Sequence, residues 1–86
     1  MPIAAYRLRG ARVVFTGLMA IPRKDLIAMS EAAGVTVQKS VTLITDYLVL
    51  KDGVDPRGPI TSSKHRKARQ YGVTIITETD YLESIT

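Results

Sequence analysis

The chain has 86 residues, 45% hydrophobic and 23% charged, a composition that suits one folded domain and excludes a disordered chain. It has no cysteine and one histidine, so disulfides, a thiolate nucleophile, a cysteine zinc site and an ordinary histidine metal cluster are excluded. Twelve Lys and Arg against eight Asp and Glu give a charge of +4, which favours polyanionic partners, although ordinary solubility produces the same balance. No apolar run is long enough to span a bilayer and the first residues lack the apolar stretch of a secretory signal, so we expect a soluble, intracellular protein with no membrane partner.

The first half of the chain is predicted to fold as strand, helix and strand. Residues 12–16 form a short apolar strand that Gly17 ends. A helix is predicted over residues 22–33, because a proline suits its first position and apolar residues follow at helical spacing. Gly34 falls where a left-handed residue commonly ends a helix, and residues 35–37 alternate as a strand does.

The second half is predicted to contain two further strands and two helices. Residues 46–50 are typical of a strand buried on both faces, and residues 51–61 are rich in turn formers, which indicates a surface loop. Ser62 or Ser63 caps a helix through residues 64–71 that Gly72 ends, before a fourth strand at residues 73–76. The Thr-x-x-acid pattern of residues 77–80 then begins a terminal helix.

The element order is therefore β-α-β-β-α-β-α. Helical crossovers imply parallel pairing with right-handed connections. We predict a three-layer α/β domain in which a four-stranded parallel sheet is flanked by helices on both faces.

The predicted elements carry a family resemblance in six segments. These are Val13-Val14-Phe15-Thr16-Gly17, Pro22-Arg23, Ala33-Gly34, Thr45-Asp46-Tyr47-Leu48-Val49, Ser63-Lys64-His65-Arg66-Lys67-Ala68 and Gly72-Val73-Thr74-Ile75-Ile76. In this order and spacing they resemble a BRCT domain, of the subgroup in bacterial NAD-dependent DNA ligases and the replication factor C large subunit; some bacterial proofreading exonucleases carry similar domains. The resemblance divides the chain into an N-terminal extension, 1–10, and a single BRCT domain, 11–86. Two positions depart from the family, which commonly has a second glycine after Gly34 and a tryptophan where this chain has Tyr81.

A candidate anion site lies at the predicted carboxyl end of the first strand, where ligands bind in open α/β sheets. The Thr16 hydroxyl can donate to a phosphate oxygen, and Gly17 lets a backbone amide approach the same anion. Lys64, in the first turn of the second helix, is expected to converge on it together with the helix terminus. The resemblance implies these three positions as phosphate ligands and adds Arg23 as a contact to phosphate or neighbouring DNA. In the alternative interpretation, Thr16 and Gly17 are only a strand end and a turn. Lys64 is then a solvated helix residue, and Arg23 lies over the first helix.

The segment from Lys64 to Arg69 is the densest positive cluster in the chain. On a helix, Arg66, Lys67 and Arg69 are predicted to follow the phosphate backbone that flanks the anion site. The alternative is a charged face that contacts only solvent. We expect His65 to be exposed, with no role as a metal ligand or in catalysis.

No catalytic constellation is recognisable in the sequence. Phe15, Tyr47 and Tyr81 fit core positions, which leaves no exposed aromatic platform on which single-stranded bases would stack. The Gly-x-x-x-x-Gly-Lys loop of nucleotide-binding enzymes is absent. We therefore expect no enzymatic activity, metal or cofactor.

The sequence favours a non-catalytic module of a replication or repair protein, most plausibly a ligase or an exonuclease. It is expected to bind duplex DNA, preferentially at a 5′-phosphorylated end, in the cytoplasm or nucleoid of a bacterium or the nucleus of a eukaryote. The alternative is a protein-interaction BRCT module that binds a phosphoprotein or pairs with another BRCT domain. Phosphopeptide readers of the family usually need a second, tandem domain, and this chain has room for one.

Overall fold

A four-stranded parallel sheet organises the computed structural model, which describes residues 8–17 and 19–85. The strands are β1 (Arg12–Thr16), β2 (Thr36–Gln38), β3 (Tyr47–Leu50) and β4 (Thr74–Thr77), in the spatial order β2-β1-β3-β4. The helices are α1 (Arg23–Ala32), α2 (Ser63–Tyr71) and α3 (Glu78–Ile85). The predicted element order and fold class are confirmed.

Strands β1 and β3 form the centre of the sheet. Each bonds to a neighbour on both sides, and Thr16 lies opposite Leu50 in their shared register. Both strands are continuous apolar runs, as expected where helices cover both faces of a parallel sheet. The carboxyl ends of β1 and β3 therefore lie side by side.

Two apolar cores occupy the two faces of the sheet. Helices α1 and α3 cover one face, where the rings of Phe15 and Tyr81 meet edge to face at 5.4 Å between centroids. Helix α2 covers the other face, where Ala68 packs among the side chains of Val14, Leu48 and other residues. This arrangement gives the three predicted layers.

The helix ends explain why two predicted strands start one residue late. After α1, the Gly34 amide bonds to the Glu31 carbonyl at 3.0 Å and the Val35 amide bonds to Ser30 at 2.9 Å. After α2, the Val73 amide bonds to Ala68 at 2.8 Å, beyond Gly72 at φ +72°. The residue after each glycine therefore closes a helix before the strand can begin.

The N-terminal boundary of the domain stays a prediction. Residues 1–7 of the predicted extension lie outside the described part of the chain. Leu8 is fully buried in the core under α1, and the Gly10 amide donates to the Gly34 carbonyl at 2.7 Å. The last residues before position 11 thus pack as part of the fold. Within the described ranges, no helix is long and apolar enough to traverse a lipid bilayer.

Candidate anion-binding site

Thr16 and Gly17 form the carboxyl end of β1. Thr16 is buried apart from a small exposed fraction, whereas Gly17 is exposed. Gly17 adopts φ +79°, and no atom lies within 4 Å of where a Cβ would stand. Glycine is required there by the backbone angle and not by lack of space, and the loop after β1 turns away at this point.

Lys64, in the first turn of α2, also contacts the carboxyl end of β1. Its Nζ donates to the carbonyl oxygen of Phe15 at 3.1 Å. The Oγ1 of Thr16 lies 3.2 Å from the Oγ of Ser62, which caps α2. The structure thus brings Thr16, Gly17 and Lys64 together, and their role as phosphate ligands stays a prediction.

The hydroxyl pair of Thr16 and Ser62 keeps one proton available for a ligand. Ser62 Oγ accepts from the His65 amide at 3.1 Å, and either hydroxyl can donate to the other. Because only one of the two protons is needed between them, the second remains free to donate to an anion. The amides of Ser63 and Lys64, in the first turn of α2, have no acceptor within the helix. Sequence reasoning treated Ser62 only as one of two possible caps and missed its place beside Thr16.

A cavity of about 260 Å³ opens beside this pair. Its lining includes Lys51, an exposed residue that directly follows β3. Lys51 is a second cation that sequence reasoning missed, since it was assigned to the surface loop. The signal was the strand register, because the residue after Leu50 must emerge next to Gly17.

Asp52 fixes the chain that carries Lys51. Its carboxylate accepts hydrogen bonds from the Thr79 hydroxyl and from the Thr79 amide, the latter at 3.0 Å. These bonds hold the pKa of Asp52 below its ordinary value of 3.8, and the bond from the Thr79 hydroxyl has the larger effect. The start of the loop after β3 is therefore tied to the first turn of α3.

Arg23 lies over the loop that leaves β1. Its guanidinium donates to the Gly17 carbonyl at 3.2 Å and lies 5.6 Å from the centre of the Phe15 ring. Arg23 thus supports the strand end while its remaining N–H groups stay exposed. The predicted contact of Arg23 with DNA stays a prediction.

Glu78, the first residue of α3, holds the loop that follows β1. This residue is 2% exposed, and its two carboxylate oxygens accept from the amides of Ala20 at 2.9 Å and Ile21 at 3.1 Å. A charged acceptor for two backbone amides is among the stronger hydrogen-bonding arrangements. Sequence reasoning placed Glu78 only inside a capping pattern, because a contact 57 to 58 positions away in the chain leaves no local signal.

The three predicted backbone contacts on α2 differ in how they are held. Arg66, Lys67 and Arg69 are all exposed. Arg69 donates to the carbonyls of Pro56, at 3.1 Å, and Gly58, so it braces the loop at residues 51–61. The side chains of Arg66 and Lys67 have no hydrogen-bond or ion-pair partner within the described residues. Arg69 uses only one of its guanidinium nitrogens for these bonds, so the contact of all three side chains with a phosphate backbone stays a prediction.

The expectation that His65 is exposed is wrong. The side chain is fully buried, because His65 and Ala68, three residues apart, form the face of α2 that lies on the sheet. Its Nδ1 accepts from the Thr61 amide at 3.2 Å, which assigns the ring proton to Nε2. Nε2 has no partner among the described residues. The same residues contain no group of three His, Cys, Asp or Glu able to hold a metal.

Comparison with known proteins identifies the family. The profile described as the BRCA1 C Terminus (BRCT) domain matches residues 7–85. The chain belongs to the BRCT family. The match begins before the predicted domain start at residue 11.

The BRCT domain described here is similar to parts of bacterial DNA ligases. It is 43% identical over 79 residues to the DNA ligase of Sorangium cellulosum, covering 92% of this chain and 11% of that protein. It is 38% identical over 79 residues to the DNA ligase of Desulfatibacillum aliphaticivorans, covering 91% and 12%. It is 35% identical over 80 residues to that of Ruthia magnifica, covering 93% and 12%. The chain thus spans about a tenth of the length of these relatives.

Proposed function

We propose that this BRCT domain is a non-catalytic module that binds duplex DNA at 5′-phosphorylated ends. Thr16, Gly17 and Lys64 hold the phosphate, with added donors from Ser62 and Lys51. The observation that supports this most directly is the contact of the Lys64 ammonium with the end of β1, 3.1 Å from the Phe15 carbonyl. An ammonium has three N–H donors, so two remain for a ligand.

A terminal phosphate suits this donor set better than an internal one. A phosphate monoester carries close to two negative charges and three strong acceptor oxygens, whereas a phosphodiester within the backbone carries one charge. The site offers a hydroxyl, an ammonium and helix-terminal amides from different directions, and the α2 dipole favours an anion at that end. The second charge and the additional acceptor oxygen of a terminal phosphate therefore find further donors in this site.

The flanking cations add binding that is independent of base sequence. Arg66 and Lys67 on α2 and Arg23 beside the site face a duplex that ends at Thr16. Contacts of this kind fix position on the backbone and read no bases. The module would serve a larger replication or repair protein, a ligase or an exonuclease, in the compartment that holds its DNA.

The decisive experiment compares one recessed duplex with and without its 5′ phosphate by fluorescence anisotropy in moderate salt. The wild-type domain should bind the phosphorylated duplex more tightly. Lys64→Ala should reduce that preference by at least about tenfold, since it removes a charge-assisted contact. Arg12→Ala, which removes the same charge at the opposite end of β1, is the matched control and should retain the preference. Equal affinity of the wild-type domain for both duplexes would reject end recognition.

A phosphoserine in a protein would meet the same donors. The same assay with a phosphorylated peptide in place of DNA therefore tests the protein-interaction alternative. Binding of the peptide in preference to the phosphorylated duplex would show that the site binds phosphoproteins and not DNA ends.

A further inference from the structure

Three of the most exposed apolar side chains line a single cleft. Leu43 is 80% exposed, Ile44 59% and Tyr71 37%, and the only other large apolar residue this exposed within the described chain is Ile60. Leu43, Ile44 and Tyr71 share an open cleft of about 460 Å³. We call it the apolar cleft; its lining is completed by Gln38, Val41 and Thr42. Exposed apolar side chains grouped in this way mark interaction surfaces, whereas scattered ones do not.

The turn that presents Leu43 and Ile44 is rigidly built. Thr42 and Thr45 bond to each other's backbone, with the Thr42 amide 2.9 Å from Thr45 Oγ1 and the Thr45 amide 3.2 Å from the Thr42 carbonyl. Thr45 Oγ1 also donates to Gln38 Oε1 at 2.8 Å, and Thr45 itself is buried. This network of threonines holds the two aliphatic side chains in water. Because the turn is already ordered, a partner that covers them loses little conformational entropy on binding.

The charges around the apolar cleft select the partner. Lys67 lies one helical turn before Tyr71 on the same side of α2 and is exposed, whereas Lys39, which follows Gln38, lines a separate cleft together with residues of α1. Asp46 lies outside the lining of the cleft, and one of its carboxylate oxygens accepts from the Arg12 amide at 2.8 Å. A second copy of this chain would set two molecules that each carry +4 against each other, with Lys67 beside the cleft on both. Like charges facing each other disfavour such a dimer.

We propose that the apolar cleft binds an acidic amphipathic segment of a partner protein. Apolar side chains of that segment cover Leu43, Ile44 and Tyr71, and a carboxylate of the segment faces Lys67. The complementary rim steers the partner, while the apolar contact supplies the affinity.

The apolar cleft and the anion site share helix α2 and one side chain, that of Lys67. The apolar cleft lies at the C-terminal end of the helix and the anion site at its N-terminal end, about 12 Å away along the axis. The proposal does not depend on DNA binding, and failure of either leaves the other in place. A partner on the cleft would join a protein to DNA through one helix.

The test uses three synthetic peptides of equal length and the ¹⁵N-labelled domain in NMR titrations. One peptide is an amphipathic helix with Leu and Phe on one side and Glu on the other. The second has the same composition in scrambled order, and the third has Lys in place of Glu. The first should shift the amide signals around residues 41–45 and 71 in a saturable way, and the other two should bind at least about tenfold more weakly.

Two variants separate the apolar and electrostatic parts. Leu43→Ser combined with Ile44→Ser should lower the affinity for the acidic peptide by at least about tenfold. Both positions are exposed enough for the fold to persist. Lys67→Glu should weaken it by roughly two- to fivefold. Preference for the lysine peptide, shifts centred on the anion site, or no saturable binding would each overturn the proposal. So would a concentration-dependent dimer, in sedimentation, that the double variant abolishes.

Discussion

Tyr81 and Ser30 show how single residues connect the two helices on one face of the sheet. Ser30 Oγ donates to the Leu26 carbonyl at 2.7 Å, so the Tyr81 hydroxyl must donate to Ser30. Both side chains are fully buried, and burial raises the pKa of Tyr81 above its ordinary value of 10.0. Tyr81, at the position where the resemblance implies a tryptophan, thus uses its hydroxyl for a hydrogen bond to Ser30 of α1.

This raised pKa predicts how stability responds to alkali. Because Tyr81 ionises in the unfolded chain near 10.0 and in the folded chain only at higher pH, its contribution is complete below pH 10 and is lost as pH rises through the folded value. Tyr81→Phe should lower the free energy of unfolding at neutral pH by about 1 kcal/mol and flatten its decline at alkaline pH. Urea unfolding across this range measures both effects. Tyr71→Phe should follow the wild-type curve, and an unchanged alkaline slope in Tyr81→Phe would contradict the assignment.

His65 shows where reasoning from residue type fails. A histidine within a run of lysines and arginines was predicted to face solvent with them. The buried face of α2 is set instead by Ala68, the helix's fully buried apolar residue, and His65 lies three positions earlier. Helical spacing from the apolar residue would have placed the ring correctly, whereas local charge did not.

At the scale of elements, the sequence predicted most of the architecture because the signals are local. Apolar runs located the strands, and Ser62 and Gly72 mark the ends of α2 as expected. The convergence of β1 with α2 followed from parallel topology and the family resemblance. The supporting contacts were not predictable, because Glu78 and Asp52 act on segments brought near only by the fold.

The tie between α3 and the loop after β1 predicts a coupled loss of stability and binding. Glu78→Gln retains one acceptor and places an NH₂ group against the other amide, so unfolding in urea should show a loss of about 1–3 kcal/mol. The proposed preference for a 5′ phosphate should fall too, since the loop that carries Gly17 loses the hydrogen bonds from Glu78. Glu83→Gln removes the same charge from an exposed position of the same helix and should change neither quantity. Wild-type stability in Glu78→Gln would show that the loop is held by other contacts.

At the scale of the whole molecule, the positive charge is arranged unevenly. Lys51, Lys64, Arg66 and Lys67 gather around α2 and the adjoining strand end, while Arg69 braces a loop. The net charge of +4 alone was compatible with plain solubility. The fold brings Lys51 beside the N-terminal cap of α2, whose cations are already neighbours in the sequence.

On the proposed function, that arrangement predicts how DNA binding depends on salt concentration. If about three or four phosphates are neutralised, the logarithm of the association constant should fall with the logarithm of salt concentration with a slope of about −3. Lys67→Ala should make the slope shallower by about one and weaken phosphorylated and unphosphorylated duplexes alike. Anisotropy titrations over a salt series supply the slope. A slope near zero would mean that DNA is not held through this surface.

The anchoring of the first loop by a carboxylate from the last helix also orders events during synthesis. In a nascent chain, the turn at Gly17 and helix α2 leave the ribosome before Glu78 does. Until then the amides of Ala20 and Ile21 have no acceptor from that helix, and the turn lacks its final shape. The turn therefore reaches its final shape only after a segment 57 to 58 positions further along the chain has folded against it.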